Sequence, residues 1–354
     1  MIPGSHGGRR IELERSGVNI RADFSASINP WGPPEVLKER WGELLRLVEA
    51  YPPLDWSLYR KPMAALYGYD PDFILPCNGA TQGIYLLSRL LAAQRILVLE
   101  PLFTEYARAF ELSGKVVFRF SLFPAFERDH LVKMIQAKRI EALVFGNPSN
   151  PLGEVGGVSL YRYLREAGFS DLTVIVDEAF QEFMGEETSL SEAVRKDRNL
   201  YLVRSLTKYY AIPGLRGGFV LTHPDNVATL ERYLEPWSCN GILWGVLELL
   251  SAADLSSFHG LTRENLRREK DFLETQFRRF SSLLEWYPSR VNFYTFRVKE
   301  KPGDFFRFLC AEGILVRSLA EFFGLGEGFF RLAVRRREEN ELFFEVVEEF
   351  ARKL

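Results

Sequence analysis

Ser205-Leu206-Thr207-Lys208-Tyr209-Tyr210-Ala211-Ile212-Pro213-Gly214-Leu215-Arg216-Gly217-Gly218 is the stretch on which the reading of this chain turns. The apolar segment Asn199–Arg204 runs into it and Phe219–Leu221 leaves it, and both have the texture of buried strands. Lys208 is thereby set between two strands, with Ser205 on one side and the glycine-flanked Arg216 on the other. Burial and a cationic neighbour both lower a lysine's pKa and leave its amine nucleophilic toward an aldehyde. Ser205 and Arg216 suit a phosphate carried by the same molecule. By itself S-x-x-K describes a surface turn more often than a site, so the surrounding chain has to decide.

Working outward, apolar strands alternate with amphipathic helices from about residue 55 to 235. Ile96–Leu99, Val116–Phe120, Ala142–Phe145, Thr173–Val176, Leu200–Val203 and Phe219–Leu221 read as short buried strands, with helices such as Gln82–Leu91 and Ser159–Ala167 between them. This β–α alternation predicts an α/β fold with a mainly parallel sheet covered on both faces. Ligands of such sheets bind beyond the carboxyl ends of the strands. Before this region, residues 1–34 form a Gly-, Pro- and Ser-rich arm whose Phe24, Ile28 and Trp31 should pack on something, and residues 35–49 read as a helix. After Pro236-Trp237 comes a charged helical stretch over 241–284. Strands near 290–296, 314–316 and 329–334 and a terminal helix over 338–354 follow. The expected division is an arm and part of a small domain over 1–50, a large domain over 51–240 and a small α+β domain over 241–354.

Composition limits the alternatives. Of 354 residues, 47% are hydrophobic, enough for a large core. Lys+Arg at 45 against Asp+Glu at 47 offers no electrostatic case for nucleic acid or an anionic membrane. Three scattered cysteines and four scattered histidines give neither a disulfide framework nor a metal site, and fit a reducing cytoplasm. No apolar run reaches the length of a membrane span.

Further candidates lie at strand ends. Asn78-Gly79-Ala80-Thr81 precedes a helix and offers backbone N–H groups to a phosphate, or an ordinary N-cap at Thr81. Phe103 or Tyr106, after the Ile96 strand, can stack on a flat ring. Asn150, in a turn-rich loop, can reach a ring hydroxyl. Asp177 ends a buried strand, where a carboxylate needs a partner such as a protonated pyridine nitrogen. Arg317, Arg331 and Arg335 sit near strands and prefer carboxylates or phosphates when buried, although Arg335 opens an exposed-looking Arg-Arg-Arg run. Each signal is weak alone. Together they describe one ligand: a phosphate at Gly79, Ala80, Thr81, Ser205 and Arg216; a ring at Phe103, Asn150 and Asp177; and an aldehyde at Lys208, as pyridoxal 5'-phosphate requires.

The order N-G-A-T, P-L-F-T-E-Y, N-P-L-G, D-E-A-F, S-L-T-K, G-L-R-G-G resembles the fold-type I pyridoxal-phosphate enzymes of the aspartate aminotransferase superfamily, over nearly the whole chain. Two families within it compete: histidinol-phosphate aminotransferases and the threonine-phosphate decarboxylases of cobalamin biosynthesis. His6-Gly7-Gly8, Asp23–Gly32, Arg204–Arg216, Pro236–Asn240, Ile314–Ser318 and Phe330–Arg335 are more similar to the decarboxylases. That resemblance implies Arg331 for a substrate carboxylate, Arg317 for its phosphate, and His6 closing over the substrate, with Asn29 and Arg335 also on the substrate side. It implies a homodimer in which Tyr51 reaches the cofactor phosphate of the neighbouring protomer. Trp31 and Trp56 depart from the expected leucine and tyrosine. Phe180 replaces a tyrosine common in the superfamily, a change the decarboxylases share.

The implied substrate is a small phosphorylated amino acid. If the arginines set the Cα–carboxylate bond perpendicular to the ring, threonine phosphate loses carbon dioxide. If they set Cα–H perpendicular, Lys208 takes the proton and transamination follows. Histidinol-phosphate transamination and serine-phosphate decarboxylation remain open, since one methyl group is worth only about 1–3 kcal/mol. A non-catalytic module that kept the fold is opposed by the intact Lys208, Asp177 and Arg216.

Overall fold

A computed structural model describes residues 6–354. Thirteen strands occur among them: β1 (Ala22–Asp23), β2 (Ile74–Asn78), β3 (Arg95–Glu100), β4 (Val116–Ser121), β5 (Ala142–Gly146), β6 (Thr173–Asp177), β7 (Leu200–Ser205), β8 (Gly217–Thr222), β9 (Leu284–Tyr287), β10 (Phe293–Val298), β11 (Ile314–Leu315), β12 (Arg317–Ser318) and β13 (Phe329–Ala333). Seven form one large sheet in the order β2-β8-β7-β6-β5-β3-β4. From β7 to β4 every neighbour is parallel, whereas β8 runs antiparallel to both β2 and β7. The apolar runs of β5, β6 and β7 are buried on both faces, as a parallel sheet covered by helices demands.

β2 was not expected from the sequence. Its proline, Pro76, argues against a strand interior, but β2 is an edge strand with β8 as its one partner, where a missing N–H is tolerated. The helix Ser57–Tyr67 was likewise unforeseen; Gly68 closes it in the left-handed region. The single helix expected over 35–49 is instead three short turns, Glu35–Glu39, Trp41–Leu44 and Leu45–Val48, broken where Arg40 leaves helical geometry.

The second sheet is antiparallel, β12-β13-β10-β9. The helix Arg337–Ala351 and the long helix Ser256–Arg279 pack against each other nearby. The N-terminal arm does not stand apart. β1 pairs in parallel with β11, Ala22 opposite Ile314, and Phe24 is fully buried against Phe343. The arm therefore crosses from the small sheet to the ends of the large one, and residues 25–28 arrive over β5, β6 and β7. Among the described residues, no single helix is long and apolar enough to cross a membrane.

Candidate active site

β6 and β7 carry the central pair. Successive residues on a strand face opposite ways, and here the alternation sorts the charges. Asp177 faces a cavity of about 440 Å³, while Glu178 points behind the sheet. Ser205 likewise faces the cavity, and Arg204 meets Glu178 at 2.7 Å on the far side, fully buried beside the rings of Tyr67 and Tyr69. This buried ion pair ties the loop after β6 to β7.

One helical turn, Leu206–Tyr209, follows β7 and delivers Lys208. Its Nζ donates to Ser205 Oγ at 2.9 Å, and Ser205 Oγ lies 2.8 Å from Thr207 Oγ1. Burial pulls the amine down to about 8. Asp177 and Glu182 oppose this, and Arg216 and Arg331 add to it. Asp177 is raised above the ordinary aspartate range by burial, against the Ala179 N–H at 2.9 Å and the charge of Lys208. The buried Tyr106 hydroxyl stands beside this carboxylate without a well-formed hydrogen bond to it. Phe103, rather than Tyr106, lines the cavity.

A cradle suited to an anion is built from the turn after β2 and the turn before β8. The helix Gly79–Leu90 starts two residues before the expected cap at Thr81; Asn78 is its N-cap and supplies no side-chain cap bond. The first-turn N–H groups of such a helix attract an anion. Gly79 has φ +73°, and a Cβ there would come within 2.7 Å of Arg216 Nη2. Gly218 lets β8 pass, since its Cβ would meet Ala80 N at 2.5 Å. Arg216 itself takes a left-handed conformation, φ 58°, that turns it toward this cradle. Ala80, Thr81, Ser205 and Arg216 line the same cavity as Lys208.

The other wall belongs to the small sheet and the arm. Arg331, on β13, donates to Asn150 Oδ1 at 2.6 Å and to the Ser25 carbonyl at 3.1 Å; its Nε has no hydrogen-bond partner among the described residues. Burial, then the neighbouring Arg317, pulls its guanidinium down to about 9. Arg317, on β12, is buried and also lines the cavity, over the ring of Phe322. Two adjacent, desolvated guanidinium groups form a site for anions. His6 lines the mouth.

Two expected substrate residues lie elsewhere. Asn29 is buried with its amide donating to Tyr209 O and Thr262 Oγ1 and its carbonyl accepting from Trp31 N. Its own N–H donates to Lys208 O at 2.9 Å, so it braces the lysine from behind. The arm presents residues 25–28 to the cavity, then turns away at Asn29-Pro30. Arg335 does not line the cavity either. It is held by Glu339 at 3.0 Å, one helical turn along. Tyr51 is 82% exposed and packs against Trp237, outside this protomer's cavity. Three cavity residues carried no sequence signal: Ser27, whose buried Oγ lacks a hydrogen-bond partner among the described residues, Thr207 and Phe322. The arm carries no repeating pattern that could have marked Ser27, since residues 25–28 all line the cavity.

A buried lysine lowered toward neutrality, an opposing buried carboxylate and a cradle that a methyl group would fill together fit pyridoxal phosphate. Lys208 would meet the aldehyde, Asp177 the ring nitrogen, and the Gly79–Thr81 turn with Ser205 and Arg216 the phosphate. Residues 23–347 match the model of the aminotransferase class I and II family, and the chain belongs to it: a fold-type I, pyridoxal-phosphate-dependent enzyme.

Its relatives include both families named above. It is 31% identical to the threonine-phosphate decarboxylase of Salmonella typhimurium over 90% of this chain and 88% of that one. It is 29% identical to the histidinol-phosphate aminotransferase of Thermococcus gammatolerans, over 94% and 93%. The solved histidinol-phosphate aminotransferase of Sinorhizobium meliloti in complex with pyridoxal-5'-phosphate has the same fold (TM-score 0.82, 16% identity, 99% and 96% of the two chains).

Proposed function

We propose that this enzyme decarboxylates L-threonine O-3-phosphate to (R)-1-amino-2-propanol O-2-phosphate, a step of cobalamin biosynthesis. The observation that carries the reading is the pair Arg317 and Arg331 in the cavity of Lys208. They offer two anion sites to one small molecule, which suits a substrate bearing both a carboxylate and a phosphate. Histidinol phosphate bears no carboxylate. The similarity to a threonine-phosphate decarboxylase over nine-tenths of the chain supports the same choice.

When bound, pyridoxal phosphate supplies an aldehyde for the substrate amine and a ring that accepts the electron pair of the broken bond. The protein supplies the rest. Arg331, fixed by Asn150 and the Ser25 carbonyl, holds the carboxylate. Arg317 holds the phosphate. Asp177 keeps the ring nitrogen protonated. Ile28, Phe103, Phe180 and Phe322 line the cavity with apolar surface and exclude water. The Cα–carboxylate bond breaks, carbon dioxide leaves, and Cα takes a proton from the protonated amine of Lys208. That amine, near 8, both gains and gives a proton close to neutral pH.

The active form in this reading is a cytoplasmic homodimer. Tyr51 points out of its own protomer beside Trp237, in a stretch that also exposes Trp41, Leu45, Val48 and Leu54. A second copy would cover that surface and bring Tyr51 to its neighbour's cofactor phosphate.

The test gives the purified holoenzyme threonine phosphate with no oxo acid and follows carbon dioxide and amino-propanol phosphate. If it releases neither, yet converts histidinol phosphate and 2-oxoglutarate to glutamate, the enzyme is an aminotransferase and the reading is wrong.

A further inference from the structure

We propose that Glu105 is a positioning residue: it holds the N-terminal strap, residues 6–8, across the mouth of the cavity by fixing His6. The inference rests on the substrate reading above for its kinetic consequence, but its geometry is independent of it.

Glu105 opens the helix Glu105–Leu112, just after Phe103. An acid in a helix's first turn is ordinary and is normally solvated. This one is not. Its side chain is 8% exposed and both carboxylate oxygens are occupied. Oε1 meets His6 Nε2 at 3.0 Å. Oε2 accepts from the Tyr85 hydroxyl at 2.6 Å, and Arg108 Nη1 lies 3.4 Å from each oxygen. Tyr85 belongs to the helix that forms the phosphate cradle. The carboxylate therefore ties His6 to two helices on the cofactor side. Burial acts to raise its pKa, but Tyr85, Arg108 and His6 outweigh burial and hold it below the ordinary glutamate value.

The strap is fastened on the opposite side as well. Gly8 N–H donates to Ser25 Oγ at 2.9 Å, and Ser25 donates to Asp23 Oδ1 through both its N–H and its hydroxyl. Gly7 lies so close to the arm that a Cβ would come within 2.1 Å of the Ser25 carbonyl oxygen. That carbonyl is also an acceptor for Arg331. One end of the strap thus joins the substrate wall and the other the cofactor wall, and His6, Gly7 and Gly8 all line the space between. The His6 ring, 5.9 Å from that of Phe103 and still 44% exposed, sits at the rim. Glu105 touches neither ligand in this scheme; it acts through His6.

The holoenzyme and its His6→Ala, Glu105→Gln, Glu105→Ala, Tyr85→Phe and His6→Ala/Glu105→Ala variants are compared in two measurements. Steady-state decarboxylation of threonine phosphate should show KM raised about tenfold or more in Glu105→Ala, since a charge-assisted hydrogen bond is worth about 1.5–3 kcal/mol, with kcat within about threefold. The double variant should be no worse than His6→Ala, because both changes remove one interaction. Trypsin cleavage after Arg9 and Arg10 should be about tenfold faster in Glu105→Ala, with Glu105→Gln and Tyr85→Phe in between. Multiplying KM effects in the double variant, or a wild-type rate of cleavage in Glu105→Ala, would overturn the proposal. Should the wild-type enzyme not turn over threonine phosphate, the substrate reading falls while the trypsin measurement still decides the strap.

Discussion

Replacing Gly79 by alanine places a methyl group at φ +73°, aimed at Arg216 Nη2 from 2.7 Å. Two effects follow, and they register in different measurements. The left-handed backbone disfavours any Cβ by about 1 kcal/mol, with or without cofactor, so strain lowers the melting temperature of the apoenzyme. The contact with Arg216 is different. The guanidinium is the far end of a flexible side chain and moves aside at little cost to the fold. In moving it leaves the phosphate cradle, and a lost charge-assisted hydrogen bond of about 1.5–3 kcal/mol weakens pyridoxal phosphate about 10- to 150-fold. Gly114→Ala is the control: φ is +74° and nothing lies within 4 Å of its Cβ. The assay titrates each apoenzyme with pyridoxal phosphate by visible absorbance and records its thermal melt. Both variants should melt earlier, and Gly79→Ala alone should lose affinity. A Gly79→Ala dissociation constant within about twofold of wild type would refute the placement of Arg216 at the phosphate.

Lys208 titrates near 8 in the folded apoenzyme, below its ordinary 10.5 because of burial. The unfolded chain therefore binds the extra proton between those values, and this residue's share of stability grows as pH rises from about 8 to 10.5, by about 3 kcal/mol in all. Denaturant unfolding of wild type minus Lys208→Met isolates that slope; a flat difference would show the amine to be solvated. Arg331→Gln should raise the KM for threonine phosphate at least tenfold and leave cofactor affinity unchanged, as measured by the same titration. Mixing and refolding Lys208→Ala with Tyr51→Ala should restore activity toward about a quarter of wild type, since half the dimers are hybrids with one intact site; no recovery would place Tyr51 outside the neighbour's site.

The large sheet was legible because its inner parallel strands carry apolar runs, and β3, β5, β6 and β7 end at or lead into Phe103, Asn150, Asp177 and Lys208. Asp177 and Lys208 could be located for that reason: a charge directly after a buried strand is costly unless a partner meets it there. The orientation of side chains on irregular segments was not legible. Asn29 and Ser27 lie two residues apart on an arm without a repeating pattern, and tertiary contacts with Tyr209 and Thr262 decide which one faces the cavity. Arg335 opens an Arg-Arg-Arg run that pointed to solvent, and it does fall beyond the strand to meet Glu339, whereas β13 buries Arg331. Nothing in the sequence singles out Glu105, because His6, its partner, is 99 positions away.

The bond from Arg331 to the Ser25 carbonyl joins residues 306 apart. Synthesis runs from the N-terminus, and a nascent chain can hold the Gly79 turn, Asp177 and Lys208 long before either Arg317 or Arg331 has been made. The arm that will roof the cavity emerges first and waits for β11 and β13 to pair with it or bond to it. The ribosome thus delivers the cavity's lysine, its carboxylate and its glycine turn before the two arginines proposed to select the substrate, and in that reading the site acquires its choosiness last.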